Sequence, residues 1–151
     1  MHLILILMLT SARPMLGADP PPAGVWKIES AVVAPWWKEK TPPDASIPKP
    51  YLGKTVAFAQ KQIDAPALLR CSAPHYEWKL YPPDMLFQGM FGEMASRDQK
   101  VGPAKIAASL GFRGTAWRML ETGCHAIDFH FLDGRTTSFA LDNYIFFLKK
   151  Q

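Results

Sequence analysis

Residues 124–130 are the most chemically varied stretch of the chain, with a thiol, two imidazoles and a carboxylate in seven positions. If the stretch is extended, alternate side chains share a face, which groups Cys124, Asp128 and His130. The Cα atoms of Asp128 and His130 would then be about 6.5–7 Å apart, close enough to chelate one ion. A zinc site needs three or four converging ligands, however. Asp128 and His130 are therefore minor metal candidates, and we expect no resident cofactor.

The sequence carries no motif of a familiar catalytic or nucleotide-binding site. It has no G-x-S-x-G, no H-E-x-x-H and no glycine-rich phosphate loop. His75 and Tyr76 are both haem-ligand types, but neighbouring residues on a strand point to opposite faces. A small hydrolase that uses Asp128 and His130 stays an alternative, because an active site needs no recognisable motif. These patterns favour a protein without catalytic activity.

Cys71 and Cys124 are the two cysteines of the chain. In an oxidising compartment, two cysteines in one domain most often form one disulfide bond. Such a bond would close a loop of about 50 residues and contribute about 3–4 kcal/mol in the chain-entropy model. We predict this bond, and two reduced, buried thiols are the alternative.

The first 18 residues resemble an export signal. Residues 3–9 form a continuous apolar run, and Ala18 is a small residue suited to a cleavage point. The run is shorter than the roughly 20 residues that a membrane-spanning helix needs. We therefore expect residues 1–18 to be a signal peptide and residues 19–151 to form one domain. The protein would be periplasmic or secreted, with no stable membrane span.

The charge pattern argues against a nucleic-acid partner. Without Arg13, which the signal would carry away, 16 basic residues remain against 13 acidic residues, a net charge of about +3. The basic residues are scattered along the chain and form no patch in the sequence. Fourteen prolines at this length interrupt helices and favour short strands joined by stiff loops.

Alternating apolar and polar residues predict strands at residues 24–33, 52–60 and 75–80, with Tyr76, Trp78 and Leu80 facing inward in the last of these. A shorter strand is predicted at residues 68–71. The proline-rich residues 34–50 and the proline- and glycine-containing residues 81–92 are predicted to be loops. Trp36 and Trp37 in the first loop would form either a binding lip or a cap on the core.

The C-terminal third predicts one helix and a long hairpin. The helix would span residues 102–111, with proline in its first turn and glycine at its end. Residues 118–132 read as one long strand with a bend at Gly123, followed by return strands at 136–141 and 144–148. A three-residue turn at 133–135 would place Phe129 opposite Phe139, which puts both rings on one face. The predicted fold is mainly β, an antiparallel barrel-like single domain with one short helix.

Gly24-Val25-Trp26 at the start of the first strand resembles the G-x-W opening of lipocalins. The resemblance implies an up-and-down barrel with an internal ligand cavity. The chain departs from lipocalins in its six or seven predicted strands and in a helix that precedes the last hairpin. The C-terminal hairpin and single bridge are also similar to small periplasmic lysozyme-inhibitor barrels.

Together these patterns predict an exported, non-catalytic protein of the cell envelope that holds a small apolar ligand inside a β-barrel. The same aromatic residues would alternatively fill a packed core. A second hypothesis is a protein-interaction module such as a periplasmic lysozyme-type inhibitor, with residues 34–50 and 81–92 in contact with an envelope protein. A small hydrolase or metal-binding protein is the third. The cavity candidates are Trp26, Ile28, Val56, Phe58, Tyr76, Trp78, Ile127 and Phe129.

Overall fold

A computed structural model describes residues 19–98, residue 100 and residues 102–151. The signal peptide predicted at residues 1–18 lies outside the described residues. Within the described part of the chain, no helix is both long and apolar enough to cross a membrane.

Eight antiparallel strands form one curled sheet, in which strands that are neighbours in sequence are mostly neighbours in space. The strands are β1 Val25–Val33, β2 Thr55–Ala59, β3 Gln62–Asp64, β4 Glu77–Tyr81, β5 Trp117–Glu121, β6 Phe129–Phe131, β7 Thr136–Leu141 and β8 Tyr144–Lys150. Their order is β3-β2-β1-β8-β7-β6-β5-β4, so the last strand returns to pair with the first. This is the order of an up-and-down barrel that is open between β3 and β4, a half-barrel compatible with a lipocalin-like β fold.

A disulfide bond crosses the open seam between β3 and β4. Cys71 pairs through its backbone with Ile63 of β3, and Cys124 lies in the loop between β5 and β6. The two sulfur atoms are 2.01 Å apart, which confirms the predicted bond. The Tyr76 hydroxyl also reaches across the seam and donates a hydrogen bond of 2.9 Å to the Ala59 carbonyl. The seam is therefore closed by side chains where the strands do not pair.

Two α-helices, α1 Met90–Arg97 and α2 Pro103–Ser109, lie between β4 and β5 in the chain. The prediction of one short helix is confirmed for α2, but α1 corrects it to two. Glycines at 89 and 92 made this segment read as a loop. In the folded chain Gly89 begins the helix at φ +80°, and Gly92 allows close packing, because a Cβ there would lie 2.9 Å from the Asp84 carbonyl oxygen. Short 3-10 turns occur at Ala67–Leu69 and Pro83–Met85.

The sheet separates two hydrophobic cores. Side chains from all eight strands meet on the concave face, with Phe139 stacked on Phe146 at a centroid distance of 4.8 Å. The convex face packs against the helical segment, where Ile145 meets Phe91 and Ile106. Strands β5, β7 and β8 thus supply alternate residues to the two cores, whereas β1 and β2 bury alternate residues on the concave face only.

Three strand predictions are wrong. Residues 118–132 form the hairpin of β5 and β6, with Met119 opposite His130, because residues 122–128 turn the chain back. The strand expected at residues 68–71 is largely a 3-10 turn, and β3 lies at Gln62–Asp64 instead. Leu80 is 68% exposed rather than buried, because it lines the open end of the half-barrel.

The turn between β6 and β7 is confirmed. The Leu132 amide donates to the Thr136 carbonyl at 3.0 Å, and His130 pairs with Ser138. This register leaves three residues in the turn and sets the ring of Phe129 5.6 Å from that of Phe139. Burial of both aromatic rings on one face fixes the register.

Two candidate ligand-binding sites

The eight cavity candidates from the sequence come together in the concave core. Seven are buried, and Trp78 is partly buried against them. Their rings contact one another, with Phe58 and Phe129 edge to face at 4.9 Å. Burial raises the pKa of Tyr76 to about 12, so its hydroxyl stays protonated as it donates across the seam. Most of these residues therefore pack on each other, while Trp26 and Trp78 also line an open cleft.

This cleft, which we call the mouth cleft, lies at the end of the half-barrel where β1 and β5 begin and β6 and β8 end. It has a volume of about 560 Å³. Barrel mouths are a common place for small-molecule sites. The lining of the mouth cleft includes Trp26, Trp78, Leu80, Arg118, Phe131 and Lys150.

Three aromatic rings form the inner wall of the mouth cleft. The Phe131 ring lies 5.4 Å from Trp26, edge to face, and 4.9 Å from Trp78. The indole N–H of Trp78 donates to the Pro20 carbonyl at 2.9 Å. Trp26 Nε1 is buried and has no hydrogen-bond partner among the described residues. Trp26, whose ring lines the cleft, therefore carries one buried and unused donor.

Positive charge surrounds the same rings. The Arg118 guanidinium carbon lies 4.0 Å from the centroid of the Trp78 ring, and Lys150 Nζ lies 5.9 Å from that of Trp26. Arg113 adds a third cation to the lining. The one acidic side chain in this lining, Asp133, accepts a hydrogen bond of 2.7 Å from the Arg135 amide in the β6–β7 turn. The mouth cleft is thus net positive.

Gly24 explains part of this geometry. Its φ of +91° lies where side chains are strained, and a Cβ there would be 2.8 Å from Cε of Lys150. The glycine of the G-x-W opening therefore leaves room for the Lys150 side chain to lie beside Trp26.

A second cavity, which we call the His130 pocket, lies on the convex side of the sheet next to α1. It has a volume of about 270 Å³, and its lining includes Trp36, Phe87, Gln88, Asp128 and His130. His130 is 2% exposed, and its ring lies 4.4 Å from that of Phe87. Burial lowers the pKa of His130 to about 3, so the imidazole is neutral near pH 7. Its Nδ1 has no hydrogen-bond partner within the described chain.

Asp128 supplies a half-buried carboxyl group to the His130 pocket. Burial, and then the neighbouring charge of Glu121, raise the pKa of Asp128 above its usual value. Glu121 is itself held by Lys79 Nζ at 2.7 Å and by the Tyr81 hydroxyl at 3.2 Å. Asp128 therefore belongs to a local excess of acidic groups.

The predicted grouping of Cys124 with Asp128 and His130 on one face is wrong. Cys124 belongs to the concave core, whereas His130 lies on the convex side. The chain between them is a loop rather than a strand, because His125 and Ala126 adopt left-handed backbone angles. Among the described residues, no group of three His, Cys, Asp or Glu side chains could hold a metal ion.

Two left-handed backbone pairs face each other at the His130 pocket. Phe87 and Gln88 have φ angles of +52° and +59°, and His125 and Ala126 have +54° and +53°. Gln88 Nε2 joins the pairs by donating to the Ala126 carbonyl at 2.5 Å. A left-handed conformation is uncommon outside glycine, asparagine and aspartate, and it is a true outlier for a residue as bulky as phenylalanine. No sequence signal marks these positions.

Trp36 covers this side of the molecule. Its ring lies 6.0 Å from Phe87 and 6.4 Å from Phe91. Of the two interpretations of the tryptophan pair, Trp36 fits the cap on the core. The indole N–H of Trp37 donates to the Thr41 carbonyl within the same loop.

The described residues form a mainly β half-barrel with a disulfide-bridged seam, a cleft at its open end and a pocket on the convex side of the sheet. No protein-family model, no curated protein and no solved structure matches it.

Proposed function

We propose that this protein is an exported, non-catalytic binding protein whose mouth cleft takes a small amphipathic ligand with an apolar body and one acidic head group. The observation that carries the proposal is the unpartnered, buried N–H of Trp26 at a cleft ringed by cations.

The unused donor supports an acceptor on the ligand. A buried donor without a partner costs about 1–3 kcal/mol. A carboxylate oxygen at Trp26 Nε1 would remove that cost, and hydrogen bonds to charged groups are stronger than neutral ones. Side-chain donors already paired, such as Trp78 Nε1, do not create this requirement.

The surrounding charge supports an anion in particular. Arg118, Lys150 and Arg113 line the cleft, and Asp133 is engaged in the β6–β7 turn. A cleft lined by one sign of charge raises the local concentration of ligands of the other sign. A neutral acceptor would gain the hydrogen bond but not this attraction.

The walls support an apolar body. Trp78, Phe131 and the exposed Leu80 present hydrocarbon and ring surface next to the cations. The volume of about 560 Å³ is within the usual range of ligand sites, about 300–1,000 Å³. The sequence predicts an apolar ligand inside the barrel. We place the ligand in the mouth cleft instead, because the interior is packed. The disulfide bond and the apolar run at residues 3–9 support export.

Calorimetric titration with decanoate and with 1-decanol tests the proposal, because the two probes share a tail and differ in the head group. We expect decanoate to bind at least about tenfold more tightly, a difference of about 1.4 kcal/mol. Arg118→Gln should weaken decanoate binding by about the same factor and leave decanol binding unchanged. Arg70→Gln, at an exposed arginine far from the cleft, is the matched control.

Equal binding of both probes, or equal effects of the two arginine variants, would contradict an acidic head group. Absence of binding by both probes would contradict the mouth cleft as a ligand site. Inhibition of lysozyme that survives Arg118→Gln would favour the protein-interaction hypothesis instead.

A further inference from the structure

The geometry points to a second binding site: we propose that the His130 pocket binds a small organic cation, a primary amine attached to a compact apolar or aromatic body. This site lies on the convex side of the sheet, shares no lining residue with the mouth cleft and does not depend on the function proposed for that cleft.

The imidazole of His130 lacks a hydrogen-bond partner on Nδ1 within the described chain. His130 is almost completely buried and lines the pocket, yet Nδ1 meets no hydrogen-bonding group of the described chain. Buried polar side chains nearly always have a partner, so an exception needs a reason. A neutral imidazole has one acceptor nitrogen. Because Nδ1 is itself buried, its lone pair would accept a hydrogen bond from an ammonium N–H once the His130 ring turns that atom toward the pocket.

The charge of the side chains around the His130 pocket also favours a cation. Asp128 and Asp142 are the carboxylates of the pocket lining, which contains no lysine or arginine. Glu121 adds a negative field at Asp128, and the cation nearest to these groups, Lys79, is already bound to Glu121 at 2.7 Å. A cationic ligand would relieve the repulsion between Asp128 and Glu121, whereas an anion would increase it.

The small volume and the aromatic wall of the pocket also favour a small ammonium ligand. The rings of Trp36 and Phe87 line a pocket of about 270 Å³, which is below the usual range for drug-sized ligands. Aromatic faces attract ammonium groups when water is excluded. The ligand is therefore small, with one ammonium group and a body of roughly one ring.

The backbone supports the same placement. The left-handed pairs Phe87–Gln88 and His125–Ala126 both contribute to the lining and are joined by the Gln88 hydrogen bond. Residues held in sparsely populated backbone regions cluster at binding and catalytic sites, where the surrounding structure maintains them. Here the two pairs hold the walls of the pocket in place around the His130 ring.

NMR titration of the full chain with phenethylamine, 2-phenylethanol and phenylacetate tests the charge requirement with one ring and three head groups. We expect phenethylamine to shift resonances of the pocket, 2-phenylethanol to bind at least about tenfold more weakly, and phenylacetate not to bind there. Asp128→Asn should weaken phenethylamine binding about tenfold. Asp64→Asn, the same change on β3, is the matched control.

The pH dependence gives an independent readout. Affinity for phenethylamine should fall as the pH is lowered through the raised pKa of Asp128, because only the ionised carboxylate attracts the ammonium group. Glu121, Asp142, His125 and Lys79 also lie at or near this group, so the titration is repeated in Asp128→Asn. The fall attributed to Asp128 should disappear in that variant.

His130→Leu separates a binding role from a structural one. If the imidazole serves the ligand, this variant should lose at least about tenfold in affinity while its melting temperature stays equal or rises. His130→Gln, which keeps a polar group, serves the same purpose if the leucine variant does not fold. Binding of phenylacetate as tight as that of phenethylamine, or an unchanged affinity in Asp128→Asn, would overturn the proposal. Decanoate binding at the mouth cleft is measured separately, so failure of one site is distinguishable from failure of the other.

Discussion

The mouth cleft, at the open end of the half-barrel, and the His130 pocket, on the convex side of the sheet, carry opposite charge. The mouth cleft has an unpartnered indole donor, Trp26 Nε1, among arginine and lysine side chains. The His130 pocket has an unpartnered imidazole nitrogen among carboxylates. These two atoms are the buried side-chain polar atoms that lack a partner in the described chain.

The difference shows how one curled sheet can present two kinds of surface. Phe129 and Phe131 on either side of His130 belong to the concave core, while His130 faces the convex side. The end of β6 thus supplies Phe131 to the mouth cleft, and its middle residue supplies the imidazole to the pocket. The packed aromatic core between them separates the two sites, so each should be possible to perturb alone.

Removal of the disulfide bond should have the largest effect on stability. Cys71→Ser with Cys124→Ser opens a loop with a sequence separation of 53 residues, which should lower the free energy of unfolding by about 4 kcal/mol. Cys124 is adjacent to His125 in the wall of the pocket, so phenethylamine binding should weaken more than decanoate binding. Urea denaturation with both titrations checks this. A loss below about 1 kcal/mol would contradict the role of the bond in closing the seam.

Acid should destabilise the protein through His130. Its pKa is about 3 when folded and near 6.5 when unfolded, so below pH 6.5 the unfolded chain gains a proton that the folded chain does not. Stability is fully present above pH 6.5 and should fall by about 3 kcal/mol by pH 4. Denaturation curves across this range are compared with those of His130→Leu, in which this part of the fall should be absent. An identical pH profile in the variant would mean that His130 is not buried in neutral form.

Gly24→Ala should weaken ligand binding at the mouth cleft without affecting the His130 pocket, with a smaller effect on stability than the two changes above. The residue has φ +91°, and the added Cβ would meet Lys150, so we expect a stability loss of about 1–2 kcal/mol and weaker decanoate binding. Gly53→Ala is the matched control, with φ +77° and no neighbouring atom within 4 Å. Both variants should lose stability, but only Gly24→Ala should lose decanoate affinity. Equal decanoate affinities would show that the position of Lys150 does not matter.

Glu121→Gln should have the smallest effect on stability and a specific effect on the pocket. The Lys79–Glu121 pair is about one-third exposed, so water screens it and its loss should change stability little. The pKa of Asp128 should fall because a like charge is removed, which NMR titration of its carboxyl group would detect. Glu77→Gln, on the exposed partner of the same lysine, should leave that pKa nearly unchanged. An unchanged Asp128 pKa in Glu121→Gln would remove the charge argument for an amine.

The sequence predicts where helices and strands lie better than it predicts which of them pair or pack together. The alternation at Trp26 and Ile28, the helix at α2 and the turn after Leu132 all follow from local patterns, and all are confirmed. The hairpin of β5 and β6 was missed because Gly123 was interpreted as a bend within one strand. The left-handed angles of His125 and Ala126, which help to reverse the chain, have no sequence signal. Helix α1 was missed because glycine is a poor helix former in isolation, whereas here Gly92 serves packing against Asp84.

For the two binding sites, even less could be predicted from local sequence patterns. Trp26 and Trp78 were found among the cavity candidates because aromatic residues on one face indicate a shared wall. Asp128 and His130 were singled out by residue type. The unpartnered state of Trp26 Nε1 and His130 Nδ1 depends on which groups the fold brings near them, and so does the charge around each site. Local sequence patterns carry no signal for either property.

The indole N–H region of one proton–nitrogen NMR spectrum tests the central contrast most directly. Trp26 lies in the mouth cleft and Trp36 in the His130 pocket, so each tryptophan reports on one site. Decanoate should shift the Trp26 indole resonance downfield, as a new hydrogen bond forms, and leave Trp36 in place, and phenethylamine should shift Trp36 alone. Movement of both resonances with one probe, or of Trp36 with decanoate, would contradict two separate sites of opposite charge.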